Sequence, residues 1–274
     1  MTAFQFNKIY VIESLFPDDE KSGQILHNDI IRRKIEQTGS DIEHELILIN
    51  NKEEFFKAFD HIRHEAIYRL GNPIIHFEIH GCKEGFVLNS NELIEWKDFQ
   101  MRLLELNLLT KNNVFLSLAT CYGGYIHKVI SPRMWTPFWG YVGPLEEVYE
   151  DQVMAGFQEF FDELLTSLNF GIATQRLNQS NQNLPTAFYF CNTEYIFNRA
   201  YANYEQKYLT DEVVAKRLET GLNDARKYKE IQHLTDEQVK QFLKYWMVDQ
   251  KDFMKKQMTE HFFMYDVFPE LKPQ

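Results

Sequence analysis

Two residues able to perform covalent chemistry each end a short apolar run. His80 ends the run 73–80, and Cys121 ends the run 113–121. Each run has the length of a buried strand, and a helical segment spanning 96–106 lies between them. The order strand, helix, strand predicts a parallel pair, whose carboxyl ends share the sheet edge where ligands bind. We therefore expect His80 and Cys121 to lie near each other at that edge.

Cysteine and histidine in this arrangement suit acyl transfer. The imidazole of His80 can take the proton of the Cys121 thiol and later return it to a leaving amine. The N-terminus of the segment after Cys121 favours the thiolate form. The N–H groups of Gly81 and Cys121 can donate to an oxyanion, and Gly123 permits a tight turn below the nucleophile. Either residue alone is more typical of ordinary core packing or a solvated strand end, so the pairing carries the prediction.

The rest of the N-terminal part alternates between strand and helix patterns. A hairpin is indicated where Asn89-Ser-Asn91 separates two apolar pairs. The pattern predicts strands at 8–14, 45–50, 138–144 and 186–192 and helices at 22–37, 52–70, 145–168 and 171–178. The fold class is therefore α/β, a three-layer sandwich in which helices flank a mostly parallel six-stranded sheet.

The character of the sequence changes after residue 198. From Arg199 onward the chain is charged, helical and aromatic, without a further strand pattern. Helix starts are indicated at Thr210 and at Thr235, where Thr235 and Gln238 fit a capping box. We predict an α/β domain over 1–198 and a helical extension over 199–274 that packs on it.

Composition narrows the classes of function. The chain has 274 residues with 44% hydrophobic content and a formal net charge of −11. Such acidity argues against a nucleic-acid partner and against an anionic membrane surface. The sequence contains no run of about eighteen apolar residues, so we expect no membrane-spanning helix. The chain has only three cysteines and no recognisable signal peptide, which predicts a cytoplasmic protein. It has no metal-ligand motif, so we expect neither a metal nor a cofactor.

The His-Gly and Cys-x-Gly strand ends resemble those of the caspase-like cysteine peptidases, which include caspases, metacaspases, separase and the bacterial CHAT proteases. The resemblance runs from about Lys8 to Ile196. The segment Gly140-Tyr-Val-Gly-Pro144 and the Phe-rich helix after it look most like the CHAT branch. The resemblance implies a His80–Cys121 catalytic dyad, an oxyanion hole from Gly81 and Cys121, and a protein or peptide substrate. It also implies a role in bacterial defence or regulated cleavage, under a regulatory protein partner or an activating ligand.

This sequence departs from the caspase pattern in ways that bear on specificity. The caspase run Gln-Ala-Cys-x-Gly reads Ala119-Thr-Cys121-Tyr-Gly123 here, so cleavage after aspartate is not expected. In this fold the pocket for the residue before the cleaved bond lies beside the exit of the fifth strand. Glu146 and Glu147 stand there and could attract arginine or lysine, although acids at a helix start also simply suit the helix dipole.

Other functions remain open from sequence alone. The chain could be a catalytically silent, caspase-like module that binds a partner through its helical tail. A weaker alternative is an α/β nucleotide-binding regulator using Gly123-Gly124, which lack the remaining residues of a phosphate loop. His76, Glu78 and His80 share one strand face and could hold a metal, but a fourth ligand is not apparent. The sequence does not identify the carboxylate that orients the imidazole of His80; Glu78 and Glu13 are guesses for it.

Overall fold

Eight strands form one mixed sheet in the computed structural model, which describes residues 4–69, 71–181 and 188–273. Six of them follow the spatial order β2-β1-β3-β6-β7-β8, and the hairpin of β4 and β5 extends from the end of β3. The strands are β1 (Lys8–Ser14), β2 (Glu43–Leu48), β3 (Pro73–Cys82), β4 (Gly85–Val87), β5 (Leu93–Glu95), β6 (Phe115–Ala119), β7 (Gly140–Pro144) and β8 (Phe188–Asn192).

Helices fill the connections and the C-terminal part of the chain. Those of the sheet region are α1 (Ser22–Ile25), α2 (Arg33–Thr38), α3 (Lys52–Arg69), α4 (Trp96–Leu109), α5 (Glu150–Ser167) and α6 (Phe170–Ser180). A π-helical stretch, Leu26–Arg32, joins α1 to α2, and a 3₁₀ helix, Gly123–Val129, follows β6. The tail contains α7 (Thr193–Tyr208), α8 (Asp211–Ala225), α9 (Asp236–Lys244) and α10 (Lys251–Phe262), with shorter turns at Lys229–Ile231, Tyr245–Asp249 and Pro269–Leu271.

Two apolar layers cover the two faces of the sheet. Successive side chains of a strand point to opposite faces, so β3 sends Phe77 into one layer and Ile74 into the other. The first layer contains Phe55 and Phe59 of α3 and Phe99 of α4. The second contains the phenylalanine stripe of α5 and residues of α6. The predicted α/β architecture, a mostly parallel sheet between helices, is confirmed.

Several boundaries differ from those expected from sequence. The last strand, β8, runs antiparallel to β7. The long helix α5 begins at Glu150 and not at Leu145, because the Gln152 side chain accepts a hydrogen bond from the Tyr149 N–H and fixes the start there. The expected helix at 22–37 contains the π-helical stretch. The strand expected at 186–192 is described from Phe188, and its first two positions, 186 and 187, lie outside the described residues.

The helical tail, α7 to α10, contacts the α/β part of the chain at both of its ends. It begins at Thr193, directly after β8, because the Asn192 side chain accepts a hydrogen bond from the Tyr195 N–H and caps α7. At its other end, Phe262 and Phe263 pack with Phe197 of α7 and with Ile130. The Thr136 N–H also donates to the Phe262 carbonyl. Both ends of the tail are thus attached to the α/β part. Of the helices described, none is long and apolar enough to cross a membrane.

Candidate active site

The carboxyl ends of β3 and β6 bring the two predicted reactive residues to one place. These strands are parallel, with His76 opposite Ser117 and Glu78 opposite Ala119. When this register is continued two residues beyond the pair of Glu78 and Ala119, His80 lies opposite Cys121. Both residues line one cavity of about 100 Å³, which we call the inner cavity. It lies next to β1, where the strand order reverses, and that is the usual ligand position in open α/β sheets.

Asp19 is the carboxylate that contacts His80. Its Oδ2 lies 2.8 Å from Nε2 of the imidazole, and the Phe16 ring stacks on the imidazole at 4.6 Å between centroids. When Nε2–H donates to Asp19, Nδ1 keeps its lone pair and can accept a proton. The His80 side chain is 41% exposed, so a substrate can reach it.

A turn after β1 holds Asp19 in place. The Phe16 N–H donates to Oδ2 of Asp19 at 2.7 Å, and the Asp19 N–H donates to the Phe16 carbonyl. Partial burial alone would raise the pKa of Asp19, but the hydrogen bonds from His80 and Phe16 outweigh it, so this pKa is lowered. Asp19 is therefore a carboxylate under ordinary conditions, ready to stabilise an imidazolium.

Glu13 and Glu78, the guesses for the orienting carboxylate, are wrong. Glu13 accepts hydrogen bonds from the backbone and the side chain of Gln24. Glu78 is buried and accepts from Ser22 Oγ at 2.6 Å, while its other oxygen lies 2.7 Å from His76 Nε2. Both carboxylates are thus used by other partners. The sequence signal for Asp19 is its place in an acidic loop directly after the first strand.

The Cys121 sulfur lies against the segment that follows β7. The Val148 N–H donates to Sγ at 3.5 Å, and Sγ lies 3.6 Å from the Val148 carbonyl oxygen. The side chain is partly buried and reaches both the inner cavity and a second, open depression. Val148 was not singled out from the sequence, because only the folded chain brings it to the sulfur.

Gly81 occupies a position where only glycine fits. A side chain there would overlap the hydroxyl of Thr120 and the carbonyl oxygen of Cys121. Cys82 and Gly85 flank the two-residue loop between β3 and β4 and thus form a hydrogen-bonded pair, so the next pair, Gly81 and Phe86, is not hydrogen-bonded. The Gly81 N–H therefore points away from β4, and the residue itself lies against Cys121.

Glu146 and Glu147 lie in the open depression on the other side of the sulfur. This outer groove of about 520 Å³ is lined by Gly81, Cys121, Tyr122, Glu146, Glu147, Val148 and Tyr149. Glu147 accepts a hydrogen bond from the Tyr122 hydroxyl at 3.1 Å, and the Tyr122 N–H donates to the Glu146 carbonyl. The structure thus brings both glutamates close to Cys121, in a different depression from the one that contains His80.

The face of β3 that carries His76, Glu78 and His80 was considered for a metal site, but these side chains take part in hydrogen bonds with their neighbours. His76 is fully buried, with Nδ1 2.9 Å from Ser117 Oγ and Nε2 on Glu78. His80 points to Asp19. Within the ranges that the structure describes, no group of three histidine, cysteine or acidic side chains is arranged to hold an ion.

The glycine pair after Cys121 serves packing. A side chain at Gly123 would meet Leu118 and Thr120, and one at Gly124 would meet Leu145. The helix that they open is a seven-residue 3₁₀ helix. Tyr122, just before it, takes a left-handed conformation with φ of 57°. This pair is therefore occupied by close contacts with β6 and with the exit of β7.

Comparison with known proteins finds no match, either among family models or among curated proteins.

Proposed function

We propose that this chain is a caspase-like cysteine endopeptidase of a regulated-proteolysis or bacterial defence system. Its substrate would be a protein, and its catalytic pair His80 and Cys121. One observation carries the proposal: the cavity that Cys121 lines also contains an imidazole held by a carboxylate. Oriented base, thiol and open access are the parts that acyl transfer requires.

The proposed mechanism begins with proton transfer between two residues that line the same cavity, Cys121 and His80. His80, with Nε2–H on Asp19, receives the Cys121 proton at Nδ1, and the sulfur attacks the substrate carbonyl carbon. The N–H groups of Gly81 and Cys121 donate to the oxyanion. His80 then gives the proton to the leaving amine as the C–N bond breaks. Water, deprotonated by His80, hydrolyses the thioester and restores the thiol.

We also propose that the fold is caspase-like and that the protein is located in the cytoplasm. The order β2-β1-β3-β6-β7-β8, with His80 near the end of β3 and Cys121 just after β6, supports a caspase-like topology. Three free cysteines support a reducing cytoplasm. The chemistry described needs only side chains and water, so we propose no cofactor.

The test combines cleavage with thiol reactivity. Cys121→Ala and His80→Ala should each lower cleavage of a mixed peptide library by about 10³-fold or more, with unchanged circular dichroism. Cys82→Ala is the matched control and should retain activity. Iodoacetamide should label Cys121 faster than Cys191, because burial raises the pKa of the Cys191 thiol. Undiminished cleavage by the Cys121→Ala protein would exclude this mechanism.

A second candidate, a catalytically silent module, draws support from the tail. Phe242, Trp246 and Phe253 are each at least half exposed there, as expected of a surface that meets another protein. This candidate predicts slow labelling of Cys121 that does not depend on His80. Labelling that is fast and falls in the His80→Ala protein would favour the enzyme.

A further inference from the structure

Two histidines are in direct contact where the helical segment 22–38 packs on β2. Nδ1 of His44, on β2, lies 3.0 Å from Nε2 of His27, on the π-helical stretch. His27 is 9% exposed and His44 is partly buried, so the surrounding protein covers most of this histidine pair. Neither ring lines the inner cavity or the outer groove.

The neighbour of His27 determines where the protons of the histidine pair lie. Nδ1 of His27 is 3.1 Å from the side-chain amide oxygen of Asn28, which can only accept, so this Nδ1 carries a hydrogen. Nε2 of the neutral His27 ring therefore keeps its lone pair and accepts the Nδ1–H of His44. The contact can hold one added proton, but a second sets two N–H donors and two positive charges against each other.

The charged groups around the histidine pair add to this resistance. Burial lowers the pKa of His27 and of His44 from the usual 6.5, and the cation of Arg32 lowers both further. Lys8 of β1 lowers the pKa of His44 as well, while Glu36 of α2 acts in the opposite direction. Both rings are therefore kept neutral in the folded chain at a pH where an exposed histidine is already charged.

The helical segment is held to the sheet region by other contacts too. Its side chains Leu26, Ile31 and Ile35 are buried in the apolar layer that includes α5, and Lys34 forms an ion pair with Asp162 of that helix. The stretch between these contacts is π-helical, and such turns are rare and frequently mark functional sites. Loss of the histidine contact is thus expected to loosen the segment without unfolding the chain.

The start of this segment leads directly into the candidate active site. The loop 15–21 joins β1 to α1 and contains Asp19, which contacts His80. Ser22, the first residue of α1, donates to the buried Glu78 at 2.6 Å. A movement of the segment away from β2 therefore displaces the start of α1 and the loop before it.

We infer that the contact between His27 and His44 is a pH-sensitive switch built into the fold: acid separates the two rings and loosens segment 22–38 from β2, together with the loop that holds Asp19. Because the folded-state pKa of each histidine is lowered, the stability of the contact is complete above 6.5 and is lost as the pH falls below that value. The switch operates whether or not the chain cleaves peptides.

Hydrogen exchange with mass spectrometry measures the loosening at about pH 7.5 and about pH 5.5, after division by the intrinsic exchange rate at each pH. In the native chain, opening of peptides from segment 22–38 should increase on acidification by up to about tenfold for each histidine, because a released ring regains its usual pKa. Peptides from α4, which contains no histidine, are the reference and should not change.

The variant His44→Gln separates the titration from the contact itself. Glutamine has both a donor and an acceptor, so it can bond to His27 in either protonation state. The increase at acid pH should therefore be severalfold smaller than in the native chain. His233→Gln, the matched change at an exposed histidine of the tail, should leave the increase unchanged. If His44→Gln does not fold, His27→Gln takes its place, since it also leaves a single histidine.

Three results would overturn the inference. The first is an equal increase in His44→Gln and in the native chain, and the second is a native segment 22–38 that responds no more than α4. The third is an increase that stops at residue 22 and leaves peptides from the loop 15–21 unchanged, which would remove the link to Asp19. None of these measurements uses peptide cleavage, so the proposed function is tested separately.

Discussion

The α/β part and the helical tail bury their aromatic residues very differently. In the sheet region, Phe77 of β3, Phe55 of α3 and Phe160 of α5 are completely buried. Phe77 contacts Phe55 on one face of the sheet, and Phe160 contacts Phe157 on the other. In the tail, Phe242 and Phe253 are 62% and 53% exposed. The site depends on the first arrangement, because His80 lies near the end of β3 while Cys121 and Asp19 follow β6 and β1 of the packed sheet. The tail is attached at its two ends and leaves its middle available for contact.

The largest effect expected from this difference concerns stability. Phe160→Ala removes a fully buried ring that packs with Phe157, Phe161 and Phe170, and should lower the free energy of unfolding by about 3–5 kcal/mol. Phe253→Ala, the matched change in the tail, should alter it by about 0.5 kcal/mol or less. Urea denaturation followed by circular dichroism measures both. Equal losses would mean that the tail has a core of its own.

A change at the junction should separate the two regions. Phe262 is fully buried between the tail and the sheet region, in contact with Phe197 and Phe263. Phe262→Ala should expose the tail to protease several-fold faster, because the contacts that attach its end are lost. Limited proteolysis with mass spectrometry measures this. Iodoacetamide labelling of Cys121 is the control and should stay the same; a changed rate would show that the tail reaches the site.

The smallest expected effect is a pH dependence at Asp19. Its pKa is lowered from the ordinary value of 3.8, so its contribution to stability is complete above that value and is lost as the pH falls through the folded-state pKa. The stability difference between the native chain and Asp19→Asn should therefore shrink as the pH falls below 3.8, as measured by acid titration of urea midpoints. The total should stay below about 1 kcal/mol, since the pair is partly exposed. A difference that grows toward acid would contradict the assigned contact.

Much of the fold follows from local patterns in the sequence. Short continuous apolar runs predicted β1, β3 and β6, and Gly39 ends α2 in the left-handed conformation expected of a helix end. Thr235 and Gln238 form the expected capping box. The direction of β8 was not predictable, because two helices separate it from β7 and a long connection permits either direction. The start of α7 at Thr193 depends on a single capping residue, Asn192, which the sequence pattern did not single out.

The sequence predicted the site residues that lie at the ends of strands, but not those that lie in loops. His80 and Cys121 each follow an apolar run, and parallel strands end together, so their proximity could be expected from the sequence. Asp19 lies in a loop with two other acids, Asp18 and Glu20, and only the path of the turn chooses among them. The burial of Glu78 with Ser22 and His76 depends on contacts between distant segments, which the sequence pattern does not record.

One contact links the orienting loop to the entrance of the inner cavity. The Glu20 N–H, next to Asp19, donates to Oε1 of Glu150 at 3.0 Å. This hydrogen bond joins the first residue of α5 to the loop that carries Asp19. Two segments 130 residues apart in the chain therefore hold the edge of the inner cavity together.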